Sequence, residues 1–207
     1  MRSLSRTSLT SLASVLLLAI AAPACSDEVV DEEEVDVAVD DGNDRGTDLS
    51  NNADDELGGA DELDQMSMAA GILLTIDNGE IAHAQFALDL MDDQVSTEFA
   101  NQMIAVHMAH IGELEALAAA HGFEPVDGDV TAALMREGDD AMKTLQTASD
   151  PAHVYMRQQV EMHEEARVIV DGLVEHFDEG DFMDFLNATH DTIVEHREHA
   201  IVILRGF

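Results

Sequence analysis

Four long stretches of the chain carry apolar residues at intervals of three and four, and these residues hardly ever alternate with polar ones as they would in a strand. The stretches span residues 66–91, 94–121, 151–177 and 182–204. Asp93 and Pro151 suit the start of a helix, and Gly122 suits the end of one. Because intervals of three and four place side chains on one face of a helix, the sequence predicts an all-α protein.

The four apolar faces are buried most simply against each other, as a bundle. The connection over residues 122–150 is long enough to return along the bundle, and residues 130–145 in it show a weaker helical pattern. This spacing permits the up-down-down-up order of ferritin-like proteins. We therefore expect a ferritin-like four-helix bundle over residues 66–207, with an extra helix in the long connection between the second and third core helices.

The first 25 residues resemble an export signal. Arg2 and Arg6 precede an apolar run over residues 12–22, and small residues precede Cys25, the single cysteine. The run is too short to span a bilayer stably. We expect residues 1–24 to be a lipoprotein-type signal peptide and Cys25 to be acylated, with ordinary signal cleavage as the alternative. The protein would then be exported to the periplasm or outer membrane, with the membrane as a partner through this lipid anchor.

Acidic residues dominate the next segment. Residues 27–64 contain 17 aspartates and glutamates against Arg45 alone, and the chain as a whole has a formal net charge of −35. Such a segment buries too little apolar surface to offset the entropy lost on ordering, so residues 25–65 are predicted to be a disordered linker. The overall charge repels nucleic acid, which is not expected as a partner, and concentrates cations.

Four polar residues on the predicted core faces lie at matching heights. Glu80 and His107 lie 13 and 14 residues from the first tight turn, and His163 and His196 lie 17 and 16 residues from the last one. Since a helix rises about 1.5 Å per residue, each pair should be level to within a few ångströms. The four side chains, one from each helix, are therefore candidate ligands of one metal ion.

The donor types narrow the choice of metal. Imidazole nitrogen and carboxylate oxygen suit zinc, iron(II) or copper(II), so the expected cofactor is a divalent transition metal. His83, His110 and Glu113 are secondary candidates, because they follow the main ones at intervals of three residues. The protein would store, sense or buffer the metal.

The alternative is a structural or partner-binding envelope module with a buried, metal-free histidine and glutamate network. Glu80 could bond to His107, and His163 to Gln159 or Thr189, without any metal. Catalysis is not expected. The sequence has no glycine-rich phosphate loop and no cysteine nucleophile in the predicted fold, and an oxidoreductase would need a second carboxylate-rich cluster.

Three segments carry a family resemblance: DNGEIAHAQFALDLMDDQVSTEFANQMIAVHMAHIGELEALAAAHG, YMRQQVEMHEEARVIVDGL and HDTIVEHREHAIVIL. They resemble the exported bacterial proteins of domain-of-unknown-function family 4142, which are ferritin-like and often labelled predicted outer-membrane proteins. The resemblance implies a helical bundle of the cell envelope and brings no established reaction. The positions that match the family pattern are Glu80, Phe99, Ala100, Met103, His107, Leu114, His163 and His196.

The chain departs from the di-metal ferritin pattern, which needs a Glu-x-x-His on each of two helices and a glutamate on the other two. Only the interval from Glu80 to His83 fits, and the third and fourth helices offer histidine in place of glutamate. A di-iron ferroxidase is therefore not expected.

Overall fold

A computed structural model describes residues 44–58 and 60–207, and this part of the chain is helical without strands. The prediction of an all-helical bundle is confirmed. The ferritin-like order of its helices remains a prediction. The helices, with their bounds, are α1 (Asp44–Leu57), α2 (Glu62–Leu88), α3 (Gln94–His121), α4 (Asp129–Gln146), α5 (Pro151–Val174) and α6 (Asp181–Leu204).

The bounds of the core helices follow from local capping. Asp93 accepts a hydrogen bond from the backbone N–H of Ser96 at 2.7 Å and so begins α3. Gly122 ends α3 in the left-handed conformation, with φ of 78°. Asp150 caps α5 just before Pro151. The bounds of α3 are as predicted, whereas α2 begins four residues earlier than expected and α5 ends three residues earlier.

Two pairs of neighbouring helices form the bundle. Short turns join α2 to α3 and α5 to α6, and α2 and α3 both contact the second pair. Their apolar faces form two separate clusters. One contains residues such as Ile72, Leu114 and Ile169, and the other contains residues such as Phe99 and Tyr155. Between these clusters along the helices lies a layer of buried polar side chains, which is where the site is found: Asp77, Glu80, His83, His107, Gln158, Gln159, His163, Thr189 and His196.

The long connection between α3 and α5 contains the predicted extra helix, α4, which packs on α2. Just before α4 the chain passes very close to α2, where the backbone N–H of Val126 donates to the carbonyl of Ser67 at 2.9 Å. A Cβ atom on Gly71 would lie 2.0 Å from the Val126 carbonyl oxygen. Only glycine at position 71 therefore permits this approach.

The prediction of a disordered linker over residues 25–65 is wrong for those of its residues that the structure describes. Residues 44–57 form α1, and Leu49, Ala53 and Leu57 are buried in the core against α5 and its neighbours. Spaced by four, the three residues share one helical face, so packing can order a segment whose other residues are mostly polar. Glu56 also accepts from the N–H of Val130 at 3.0 Å and caps α4. The predicted signal peptide, Cys25 and residues 26–43 lie outside the described residues.

Among the described helices, α3 alone is long enough and apolar enough to cross a membrane, judged by length and composition. Core helices of soluble proteins meet the same criteria. In this bundle α3 buries Phe99, Met103 and Leu114, and it carries the buried His107. Of its most apolar 18-residue stretch, 22% is buried, so packing accounts for only part of this apolar composition.

Candidate metal centre

Three histidines from three helices meet in the polar layer. His107 lies on α3, His163 on α5 and His196 on α6, and all three are buried. Each offers a ring nitrogen, and these nitrogens lie within 4.8 Å of one another. The ring centroids are 5.4–6.1 Å apart. We call these residues the histidine triad. The structure therefore brings together three of the four residues predicted from matching heights.

Hydrogen bonds indicate which nitrogens of the triad are free. Nδ1 of His107 lies 2.8 Å from Oδ1 of Asp77, and Nδ1 of His163 lies 2.9 Å from the carbonyl oxygen of Gln159. Both partners can only accept, so each Nδ1 carries a proton. Nε2 of His107, Nε2 of His163 and Nδ1 of His196 are buried without a hydrogen-bond partner. Each ring of the triad thus keeps one buried nitrogen that no side chain or backbone group satisfies.

Glu80, the fourth predicted ligand, borders the triad without joining its group of nitrogens. Its Oε2 accepts from Nε2 of Gln159 at 2.8 Å. Its Oε1 lies 3.7 Å from Nδ1 of His163, the nitrogen that donates to the backbone. In this arrangement Glu80 contributes a nearby negative charge.

His83, a secondary candidate, belongs to a different set of contacts. Its Nε2 lies 3.0 Å from Oε1 of Gln158, and Nε2 of Gln159 donates to its Nδ1 at 3.3 Å. Its ring also packs against Tyr155, with centroids 5.2 Å apart. With both nitrogens engaged, His83 is satisfied within the protein.

The other two secondary candidates also lie outside the triad. His110 bonds through Nδ1 to Oδ2 of Asp77 and through Nε2 to Oγ1 of Thr189, each at 2.7 Å, and its ring stacks on Phe185. Glu113 is exposed on α3. His110 therefore supports the site indirectly, and Glu113 faces solvent.

Asp77 is the residue of the site that the sequence analysis missed. It is buried, and its two oxygens lie against His107 and His110. A signal was present, because Asp77 lies 16 residues before Asp93 and His110 lies 17 after it. The counting that paired Glu80 with His107 pairs these two residues equally well.

Both buried carboxyl groups are held ionised. Burial raises the pKa of Asp77, but hydrogen bonds and charge interactions with His107 and His110 outweigh it and leave the pKa below its ordinary value. Burial likewise raises the pKa of Glu80, and the neighbouring His163, His107 and His83, with the Gln159 hydrogen bond, bring it below its ordinary value. The centre therefore lies between two negative charges at neutral pH.

The three imidazoles respond differently to this surrounding. Burial lowers the pKa of His163, and burial together with the neighbouring histidines lowers the pKa of His196 to about 3. Burial also opposes protonation of His107, but Asp77 and Glu80 outweigh it and raise the pKa of His107. At neutral pH, His163 and His196 are neutral and keep the lone pairs that a metal needs.

A small cavity adjoins the triad between α2, α3 and α6. Its volume is about 30 Å³, close to the space of one water molecule. Polar residues in its lining include Asp77, His107, His110, Thr189 and His196. The cavity therefore touches two of the three triad histidines, and it is large enough for one small ligand.

Comparison with known proteins yields one family. Residues 54–203 match the domain of unknown function DUF4142. The chain belongs to this family. The expected family is confirmed, and the match includes every helix that carries a triad histidine. No curated protein and no solved structure matches the chain.

The geometry of the triad fits a transition-metal ion after a modest closure. Zinc–nitrogen bonds of about 2.0–2.1 Å in a tetrahedral site place nitrogens about 3.4 Å apart. The triad nitrogens lie within 4.8 Å of one another, so the rings would need to approach by up to about 1.4 Å. Side-chain rotations on three packed helices can supply that movement. The buried histidine triad could therefore hold a metal ion.

Proposed function

We propose that this protein binds one divalent transition-metal ion, of zinc, iron or copper, through His107, His163 and His196 in the core of its helical bundle. The observation that carries the proposal is the convergence of three buried histidines, each of which offers a ring nitrogen within 4.8 Å of the others. Each ring also has one buried nitrogen without a hydrogen-bond partner. A buried polar atom left unsatisfied costs about 1–3 kcal/mol. Three of them together oppose folding by roughly 3 kcal/mol or more, which a bound metal would offset.

Charge balance favours a divalent ion. Asp77 and Glu80 place two buried negative charges beside the triad, and burying net charge is unfavourable. A divalent cation held by neutral imidazoles compensates both carboxylates. The acidic surface of the chain, with a net charge of −35, raises the local concentration of such ions.

The proposed role is metal storage, sensing or buffering in the cell envelope by a lipid-anchored protein. Support for the location comes from Arg2, Arg6 and the apolar run before Cys25. Support for a binding role comes from the triad, in which three buried histidines each offer a ring nitrogen within 4.8 Å of the others. A metal-free structural or partner-binding module is the competing function.

Metal content decides between these two functions. The purified protein is stripped with a chelator, dialysed against zinc, iron(II) or copper(II), and analysed by elemental mass spectrometry. We expect about one ion per chain in the wild type and in His153→Ala, whose exposed ring lies on α5 away from the triad. His163→Ala should lose the ion. Equal metal content in all three proteins would show that the triad does not hold the ion, and no metal in the wild type would favour the metal-free alternative.

A further inference from the structure

Asp77 touches the triad only through His107, yet it is among the most enclosed polar groups of the protein, with 2% of its surface exposed. A carboxylate so deeply buried is unfavourable unless it is paired and hydrogen-bonded. Asp77 is not a member of the nitrogen group that could hold the ion.

Both oxygens of Asp77 are engaged, and this fixes the orientation of the carboxylate. Oδ1 accepts from Nδ1 of His107 at 2.8 Å, and Oδ2 accepts from Nδ1 of His110 at 2.7 Å. His110 is in turn held by Oγ1 of Thr189 at 2.7 Å and by stacking on Phe185. Three helices, α2, α3 and α6, thus set the position of Asp77.

A fixed carboxylate beside one nitrogen of an imidazole determines which of the two ring nitrogens carries the proton and which carries the lone pair. The proton of a neutral His107 must sit on Nδ1, where an ionised oxygen accepts it, and the lone pair must then sit on Nε2. Nε2 is the buried nitrogen of His107 that has no partner. An adjacent carboxylate also makes the imidazole a better donor to a metal.

We infer that Asp77 is the positioning residue of the proposed metal centre: by accepting the Nδ1 proton of His107 it aims the lone pair of Nε2 at the ion. This inference rests on the proposed metal-binding function and adds a residue to it. His110 serves as the support that keeps Asp77 in place.

The test compares Asp77→Asn with Asp89→Asn, which removes one carboxylate from an exposed position at the end of α2. Zinc affinity is measured for the purified protein by competition with a chromophoric chelator. Loss of such an outer carboxylate weakens metal binding by about 10–100-fold. We expect that loss for Asp77→Asn and less than a twofold change for Asp89→Asn.

A double-mutant cycle separates positioning from general damage to the fold. His107→Gln removes the ring through which Asp77 acts, so adding Asp77→Asn to that variant should weaken zinc binding much less than the same change does in the wild type, leaving only the effect of the lost charge. A further tenfold loss in the double variant would show that Asp77 acts elsewhere, and the inference would be wrong.

The tautomer of His107 gives a readout that does not depend on metal. Long-range ¹H–¹⁵N spectra of the zinc-free wild type, recorded at an alkaline pH at which His107 is neutral, should show the proton on Nδ1 alone, and Asp77→Asn should show a mixture. If Asp77→Asn does not fold, as judged by its helical circular dichroism, Asp77→Glu takes its place, since it keeps the charge but displaces the oxygens by one methylene.

The outcomes separate this inference from the proposal beneath it. A wild type that binds no zinc removes the metal function itself. The other outcome is that the wild type binds zinc, while a folded Asp77 variant has unchanged zinc affinity and a single His107 tautomer. That outcome leaves the metal function in place and overturns the positioning role.

Discussion

Replacing His163 with leucine should leave the metal-free protein about as stable as the wild type. The substitution removes Nε2, a buried nitrogen without a partner, and relief of such an atom is worth about 1–3 kcal/mol. It also removes the Nδ1–H bond to the Gln159 carbonyl, worth about 1 kcal/mol, and a polar neighbour of Glu80. These effects oppose each other, so we expect a net change within about 1 kcal/mol.

Zinc should reveal the difference between His163→Leu and the wild type. An ion that binds only the folded state stabilises it by about 2.7 kcal/mol at a free concentration of one hundred times Kd. For a domain of this size, that corresponds to a rise of roughly 8 °C in Tm. His163→Leu loses one of three nitrogen donors and should show almost none of this rise.

The assay is thermal unfolding followed by circular dichroism, in EDTA and then in buffered free zinc. His153→Ala, an exposed change on the same helix, serves as the control and should keep the full zinc effect. A zinc effect of normal size in His163→Leu would show that His163 is not a ligand. A loss of more than about 3 kcal/mol in EDTA would show that the buried nitrogen was satisfied after all.

Three further predictions concern the fold and its response to acid. The pKa of His163 is lowered and that of His196 falls to about 3, so both rings stay neutral in the folded state. In the unfolded chain they take up protons below a pH of about 6.5. Their contribution to the free energy of unfolding is therefore complete above a pH of about 6.5 and is lost as the pH falls from about 6.5 to about 3. Urea unfolding at a series of pH values should show this loss, and a variant with both residues changed to leucine should show a flatter profile; parallel profiles would contradict the assignment. Gly71→Ala should lower the free energy of unfolding by about 2 kcal/mol or more through overpacking, because the added Cβ would lie 2.0 Å from the backbone of the crossing loop. Gly79→Ala, whose Cβ would have nothing within 4 Å, should leave the free energy of unfolding unchanged or raise it in the same urea titration. Leu57→Ala should lower the free energy of unfolding, measured by calorimetry, by about 2–5 kcal/mol because the Leu57 side chain is fully buried. A change under about 0.5 kcal/mol would show that α1 does not pack on the core.

The helices could be predicted from the sequence because their signals are local. Intervals of three and four identify the buried faces, and Asp93, Gly122 and Pro151 each act within one turn of a helix end. Helix ends without such a residue were less well predicted. Residues 175–177 continue the apolar pattern of α5, yet the helix ends at Val174, where the chain turns towards α6.

Helix α1 was missed because its order depends on packing. Leu49, Ala53 and Leu57 are too few to distinguish the segment from a charged linker by composition. An isolated helix of this length is marginal in water, so α1 gains its stability mainly from contacts with α5, α2 and α4. Those contacts bring together residues that are distant in sequence, which a local pattern does not reveal.

The sequence predicted the level of the site along the helices, but it did not predict how each helix is rotated about its axis. Counting residues from the turns placed His107, His163 and His196 at one level, and the structure brings them together. The same counting could not decide between Asp77 and Glu80, which lie one turn apart on the buried side of α2. Their different partners depend on how α2 is rotated about its axis against α3 and α5, and that is set by tertiary packing.

The most direct test of the proposed metal centre is X-ray absorption of the zinc-loaded protein at the zinc edge. Three triad imidazoles predict a first shell of at least three nitrogen donors at about 2.0–2.1 Å, with the outer-ring scattering typical of histidine. His196→Ala should lose one imidazole from that shell. A shell made of oxygen alone, or an imidazole count that is the same in wild type and His196→Ala, would contradict the proposal that this buried triad holds the ion.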